Sequence, residues 1–161
     1  MRILVLSDTH GRRDGMEELL TTEDARTANW IVHCGDIGRS DEEWLRRAFS
    51  GAVTIVEGNN DFFTDLPRQL VVEREGHRFL ILHGQRQVHG GLVLFRYTAL
   101  ENNCDIVLFG HTHKPLIEED DGIWYINPGS LELPRQADRR RTYVVLDVCG
   151  KDVTATLKSL P

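Results

Sequence analysis

Short apolar runs set the rhythm of this chain. They are Ile3-Leu4-Val5-Leu6, Trp30-Ile31-Val32, Val53-Thr54-Ile55-Val56, Phe79-Leu80-Ile81-Leu82 and Ile106-Val107-Leu108-Phe109. Runs of this length, rich in β-branched and aromatic residues and bounded by Gly, read as buried strands. Helical patterns lie between them. Residues 15–20 predict a short helix. Residues 40–49 predict a second, with Ser40 and Glu43 as a capping box and Trp44, Leu45, Ala48 and Phe49 on one apolar face. A third is predicted over residues 90–102, with Leu92, Phe95, Tyr97, Ala99 and Leu100 on or near its buried stripe. Residues 69–75 and 78–82 predict a hairpin around Glu75-Gly76-His77. Residues 116–119 and 123–126 predict another around Asp120-Asp121-Gly122, whose Asp-Gly pair is a strong turn signal. Gly150-Lys151 joins a last pair, 142–148 and 153–158. Early β-α alternation followed by late hairpins predicts an α/β (α+β) fold with two sheets packed together and helices outside.

Composition narrows the class. A chain of 161 residues is one domain by length, spanning 1–161, and buries about 70 % of its unfolded surface. Its net charge is −6, with 19 Lys and Arg against 25 Asp and Glu. A non-specific nucleic-acid binder neutralises phosphates with excess base, so that class is disfavoured, and no base-stacking platform for nucleic acid is evident. Any attraction for phosphate must therefore be local, and cations can supply it. Cys34, Cys104 and Cys149 show no CxxC spacing and read as small buried hydrophobes in a reducing, cytoplasmic protein. Met1-Arg2 leads straight into a strand, which predicts no signal peptide, and no apolar run is long enough for a membrane.

The ends of the apolar runs carry the chemistry. They lead into Asp8 and His10, Asp36, Asn59, His83, and His111 and His113. Side by side in sheets, the runs bring their C-terminal ends to one rim, where α/β proteins hold ligands. Asp-x-His and His-x-His each place two ligands on one side of an extended segment. Gly35, Gly58 and Gly84 sit where the chain must turn sharply or approach a ligand closely. A lone Asp or Asn there only braces its own turn. Five strand ends with the same arrangement point instead to a metal site. Mixed imidazole and carboxylate ligands suit Mn, Fe, Zn, Co or Ni, and seven are too many for one tetrahedral zinc. They suit two divalent ions sharing a carboxylate, with Asp36 as the bridge because it follows a middle strand.

Asp8-x-His10, Gly35-Asp36, Gly58-Asn59-x-Asp61, His83-Gly84 and Gly110-His111-x-His113 resemble, in order, the five blocks of calcineurin-like metallophosphoesterases. Asn127-Pro128-Gly129-Ser130 with Pro134-Arg135 resembles a further signature of the small bacterial and archaeal phosphodiesterase branch. The resemblance implies a four-layer α-β-β-α sandwich and a binuclear centre, manganese being the first expectation. It implies Asp8, His10, Asp36 and His113 on one ion, and Asp36, Asn59, His83 and His111 on the other. Asp36, Asn59 and His111 are the catalytic candidates. The implied reaction is hydrolysis of a phosphodiester, in a small molecule or a nucleotide, by hydroxide drawn from water shared between the ions. Many relatives carry a His, thought to protonate the leaving group, where this chain has Asn60. An amide delivers no proton at neutral pH, so diesters with acidic leaving groups are expected to be preferred.

Other residues read more modestly. Asp61 either orients Asn59 or caps the next turn. Thr9 and Thr112 point away from the ligands, and His33 packs behind them. Asn127 and Ser130 line the rim or form a turn. His77 and His89 are solvated, as is Arg139-Arg140-Arg141. Trp44, Trp124 and Phe62-Phe63 are candidates for a homo-oligomeric interface. The rival reading is a non-catalytic scaffold resembling the phosphoesterase-fold subunit of the eukaryotic retromer. Loss of metal ligands would mark such a scaffold, and all seven are present.

Overall fold

Strands that are apolar at every position need cover on both faces. The computed structural model of the chain, which describes residues 1–160, provides it with two five-stranded sheets. In chain order the elements are β1 (Arg2–Leu6), α1 (Asp14–Leu20), α2 (Glu23–Thr27), β2 (Trp30–His33), α3 (Arg39–Ala48) and β3 (Ala52–Ile55). There follow β4 (Gln69–Arg74), β5 (His77–Leu82), a 3₁₀ turn (Gln87–Gly90), α4 (Leu92–Glu101) and β6 (Ile106–Leu108). The chain closes with β7 (Pro115–Asp120), β8 (Ile123–Pro128), β9 (Thr142–Cys149) and β10 (Asp152–Ser159). One sheet runs β10-β9-β1-β2-β3 and the other β4-β5-β6-β8-β7.

Alternation along each strand builds four layers. Ile3, Val5, Trp30 and Val32 face Phe79, Ile81, Ile106 and Leu108 across the space between the sheets. Leu4, Leu6 and Ile31 turn outward onto Met16, Leu19 and Leu45 of α1 and α3. Leu80, Leu82 and Val107 turn outward onto Phe95 and Ala99 of α4. Ile3 to Leu6 expose no surface at all, and each such side chain contributes about 1.5–3 kcal/mol of transfer free energy. The expected α-β-β-α sandwich of two mixed sheets is present. β1, β2 and β3 are mutually parallel, as are β5, β6 and β8, so each sheet gathers its C-terminal strand ends on one rim.

Several local expectations need correction. β3 is an edge strand and only half-buried, apart from Ile55. α3 begins at Arg39 behind Gly38, so Ser40 is no cap; its hydroxyl donates to Asp41 at 3.1 Å. Asp41 is buried against the Arg13 guanidinium at 2.5 Å. Ala48 is exposed, whereas Leu45 and Phe49 are buried. α4 is shorter than expected: Phe95 and Ala99 are buried and Leu92 packs partly against the same core, but Tyr97 and Leu100 lie on its open side. Cys149 is exposed at the end of β9. Trp44 and Trp124 are partly buried and pack against the cores. His77 is not solvated: its ring lies 2.6 Å from Asp105 Oδ2 and 2.8 Å from the Gly150 carbonyl, tying the two sheets together. Arg141 departs from the solvated arginine run by pairing with Glu18 at 2.6 Å.

Candidate metal centre

Each of the seven side chains singled out by sequence lies in a loop just beyond a strand end. β1 leads to Asp8 and His10, β2 to Asp36, β3 to Asn59, β5 to His83, and β6 to His111 and His113. Pairing continues past the strands: Asp8 N–H donates to Gly35 O at 3.1 Å and His10 N–H to Asp36 O at 2.8 Å. The two dyads are not extended, contrary to the sequence reading. Asp8, His10, Asp36, His111 and His113 all adopt left-handed backbone, with φ between +52° and +70°. Non-glycine residues avoid this region, at a cost of about 1–2 kcal/mol each, so the surrounding structure must hold them there.

The side chains converge. His10 Nε2 and His113 Nε2 are 3.1 Å apart, and His113 Nε2 is 3.3 Å from Asp8 Oδ1. On the other side, Asn59 Oδ1 lies 3.0 Å from His83 Nε2 and 2.9 Å from His111 Nδ1. Asp36 Oδ2 stands between the groups, 3.6 Å from His10 Nε2 and 3.5 Å from His83 Nε2. Strand position does not set Asp36 apart, since β1, which leads to Asp8, is the centre of its sheet and β2 its neighbour. Asp8 Oδ1 also reaches both groups, at 4.0 Å from His10 and from His83.

Tautomers follow from the backing contacts. His83 Nδ1–H donates to Cys34 O and His113 Nδ1–H to Leu133 O, both at 2.7 Å. Each ring therefore presents a bare Nε2 to the cluster. Asp8 Oδ2 accepts the His111 N–H at 2.9 Å, but Asp8 Oδ1 is fully buried with no hydrogen-bond partner. A buried carboxylate oxygen is rarely left this way unless a cation takes it. The residues thus fit divalent ions: an orphaned anionic oxygen, a second carboxylate and oriented imidazole lone pairs within reach of one another.

Electrostatics agree with that chemistry. Burial pushes Asp8 up to about 6, against the pull of His83. Burial also acts to raise Asp36, but hydrogen bonding and charge from His83 and two donors from Asn60 outweigh it and hold Asp36 well below the usual carboxylate range. Burial opposes protonation of His83, yet Asp36 and Asp8 raise it. Burial lowers His10 and His111 and brings His113 down to about 4, so these rings stay neutral; Arg135 adds to the lowering in all three.

The supporting residues do more than sequence suggested. Asp61 neither orients Asn59 nor merely caps a turn. Its carboxylate accepts the N–H groups of Asp36 at 2.7 Å, Gly58 at 2.8 Å, Gly38 at 2.9 Å and Ile37 at 3.3 Å, fixing the Asp36 loop. Asn60 turns inward: its N–H and its Nδ2 donate to the two oxygens of Asp36, each at 2.7 Å. Thr9 packs beneath the cluster against His33 at 3.1 Å. Asn127 and Ser130 are buried braces, donating to Gly110 O and Asp8 O at 2.8 Å. A Cβ at Gly58 would collide with Asp36, and one at Gly110 with Ser7, so both glycines are needed for close approach. The left-handed ligand loops and the neighbouring Arg135 charge had no sequence signal beyond the motifs themselves.

Comparison with known proteins agrees with the geometry. The sequence profile of the calcineurin-like phosphoesterase superfamily domain matches residues 1–151. The probable metallophosphoesterase YsnB of Bacillus subtilis (strain 168) is 32% identical over 149 residues, covering 91% of this chain and 83% of that protein. The phosphodiesterase YfcE of Escherichia coli (strain K12) is 27% identical over 157 residues, covering 84% of this chain and 82% of that protein. In fold alone, Vps29 of Chaetomium thermophilum is similar with a TM-score of 0.79 at 20% identity, over 100% of this chain and 98% of that one. Profile match and relatives together place this chain in the calcineurin-like phosphoesterase superfamily.

Proposed function

We propose that the protein is a metal-dependent phosphodiesterase with a two-ion centre, manganese being the expected occupant. Asp8, His10, Asp36 and His113 hold one ion and Asp36, Asn59, His83 and His111 the other. The observation that carries this reading is Asp8 Oδ1, buried and unpartnered 3.3 Å from the Nε2 of His113. The names of relatives such as YfcE support the diester substrate.

When bound, a pair of divalent cations acidifies water and offsets charge on the phosphoryl oxygens. The chain's own groups make that possible. Cys34 O and Leu133 O fix the rings of His83 and His113, and the Asp61 carboxylate fixes the backbone on which Asp36 stands. Asn60 holds both oxygens of Asp36 and has no proton to give a departing alkoxide. The complete ligand set speaks against a scaffold that shares only the fold. Asp36→Asn tests the reading: with manganese it should lose hydrolysis of bis(p-nitrophenyl) phosphate while keeping its far-UV circular dichroism. Retained hydrolysis would overturn it.

A further inference from the structure

Beside the cluster lies a depression of about 410 Å³, within the range of small-molecule sites. Asn59 belongs to both, so the depression opens directly beside the cluster. Two features of its wall are unexplained by folding. Phe62 and Phe63 are 69% and 93% exposed, and Phe63 also sits at φ +57°, a left-handed strain that no burial of its ring offsets. Gln85, Arg86 and Gln87, which follow the His83-Gly84 turn, line the same depression. Arg68, also in the wall, is already paired with Glu57 at 3.0 Å. Arg86 is exposed and, among the described residues, has neither an ion pair nor a hydrogen-bond partner.

Exposed aromatic faces, amides and an unpaired guanidinium form a set with a common use. Planar bases stack on aromatic rings, amides meet base edges, and guanidinium takes phosphate in a forked contact. On a protein of net charge −6, an unpaired arginine at the mouth of a phosphate site is where local attraction for an anion arises. We propose that this depression is the specificity subsite of the enzyme and takes a nucleotide bearing a second phosphate. The base lies on Phe62 and Phe63, the second phosphate meets Arg86, and the scissile diester sits at the cluster. The inference rests on the phosphodiesterase reading and adds the substrate class to it.

Three esters with one leaving group test it on the manganese-loaded protein: bis(p-nitrophenyl) phosphate, thymidine 5′-(p-nitrophenyl phosphate), and the latter carrying a 3′-phosphate. In each, water adds to phosphorus and p-nitrophenolate departs. The expected order of kcat/KM rises along the series. Phe63→Ala should cut the advantage of the thymidine ester over the bis-aryl ester about tenfold, and Arg86→Ala should erase the further gain from the 3′-phosphate. Both side chains are exposed, so neither change threatens folding. Equal kcat/KM along the series, or variants that leave the ratios intact, would overturn the subsite. So would conversion of a dimer to a monomer by Phe63→Ala without a change in these ratios, which would make the aromatic pair an interface between copies. Failure of the phosphodiesterase reading shows separately, as no hydrolysis of any ester. Equilibrium dialysis with thymidine 3′,5′-bisphosphate then still decides the subsite: about tenfold weaker binding by either variant supports it, and equal binding refutes it.

Discussion

Asn60 grips Asp36 by both carboxylate oxygens, through its backbone N–H to Oδ1 and its side-chain amide to Oδ2, each at 2.7 Å. The amide that stands where many relatives carry a leaving-group acid is therefore spent on the shared carboxylate. With no proton donor at that position, the departing oxygen must already be a good leaving group. The manganese form should cleave aryl phosphodiesters faster than alkyl phosphomonoesters under matched conditions. Steady-state assays on both classes check this, and a faster alkyl monoester would contradict it.

Glycine at position 58 is a steric requirement, not a turn requirement. Its missing Cβ leaves room for the Asp36 carboxylate and backbone, whereas Gly76, at φ +80°, faces open space in the β4–β5 turn. Gly58→Ala should cost about 1–3 kcal/mol by overpacking and, by displacing Asp36, abolish hydrolysis. Gly76→Ala should cost about 1–2 kcal/mol through left-handed strain alone and leave hydrolysis intact. Thermal melts paired with assays separate the two. Equal activity in both variants would show that the Asp36 loop tolerates displacement.

Much of this was legible in the sequence because two strong signals coincide. Runs such as Ile3 to Leu6, covered on both faces, announce buried strands, and polar groups at their ends announce a rim site. What stayed hidden depends on tertiary contact. The left-handed turns at Asp8 and His113 are stabilised by neighbours from other strands, as when Ser130 Oγ donates to Asp8 O. The apolar stripe of α4 looked wider than it is, since Leu92, Phe95 and Ala99 meet the core beneath while Tyr97 stays 62% exposed. The Ser40 capping box failed because the helix already begins at Arg39 behind Gly38, and the Ser40 hydroxyl turns to the buried Asp41 carboxylate. His77 looked like a turn residue until Asp105 and Gly150, 28 and 73 positions away, closed on it.

The buried His33 should make the metal-free protein acid-labile. Burial brings it down to about 4 from an ordinary value of 6.5, so the folded state excludes a proton that the unfolded chain binds. Its stabilising contribution is complete above pH 6.5 and lost as pH falls towards 4, by about 2–3 kcal/mol at pH 4.5. Asp8, raised to about 6, acts in the opposite sense: its protonation favours the folded state as pH drops through that range. Comparison with His33→Asn removes the Asp8 contribution, which both proteins share. Urea unfolding at pH 7 and pH 4.5 should show a smaller loss in the variant. Identical losses would mean that His33 does not carry the acid sensitivity.

The centre itself is open to direct counting. Protein stripped with chelator, reloaded with manganese and passed through a desalting column should retain two ions per chain by elemental analysis. Retention of none, or of no more than Asp36→Asn retains, would contradict the paired-ion centre on which the proposed chemistry depends.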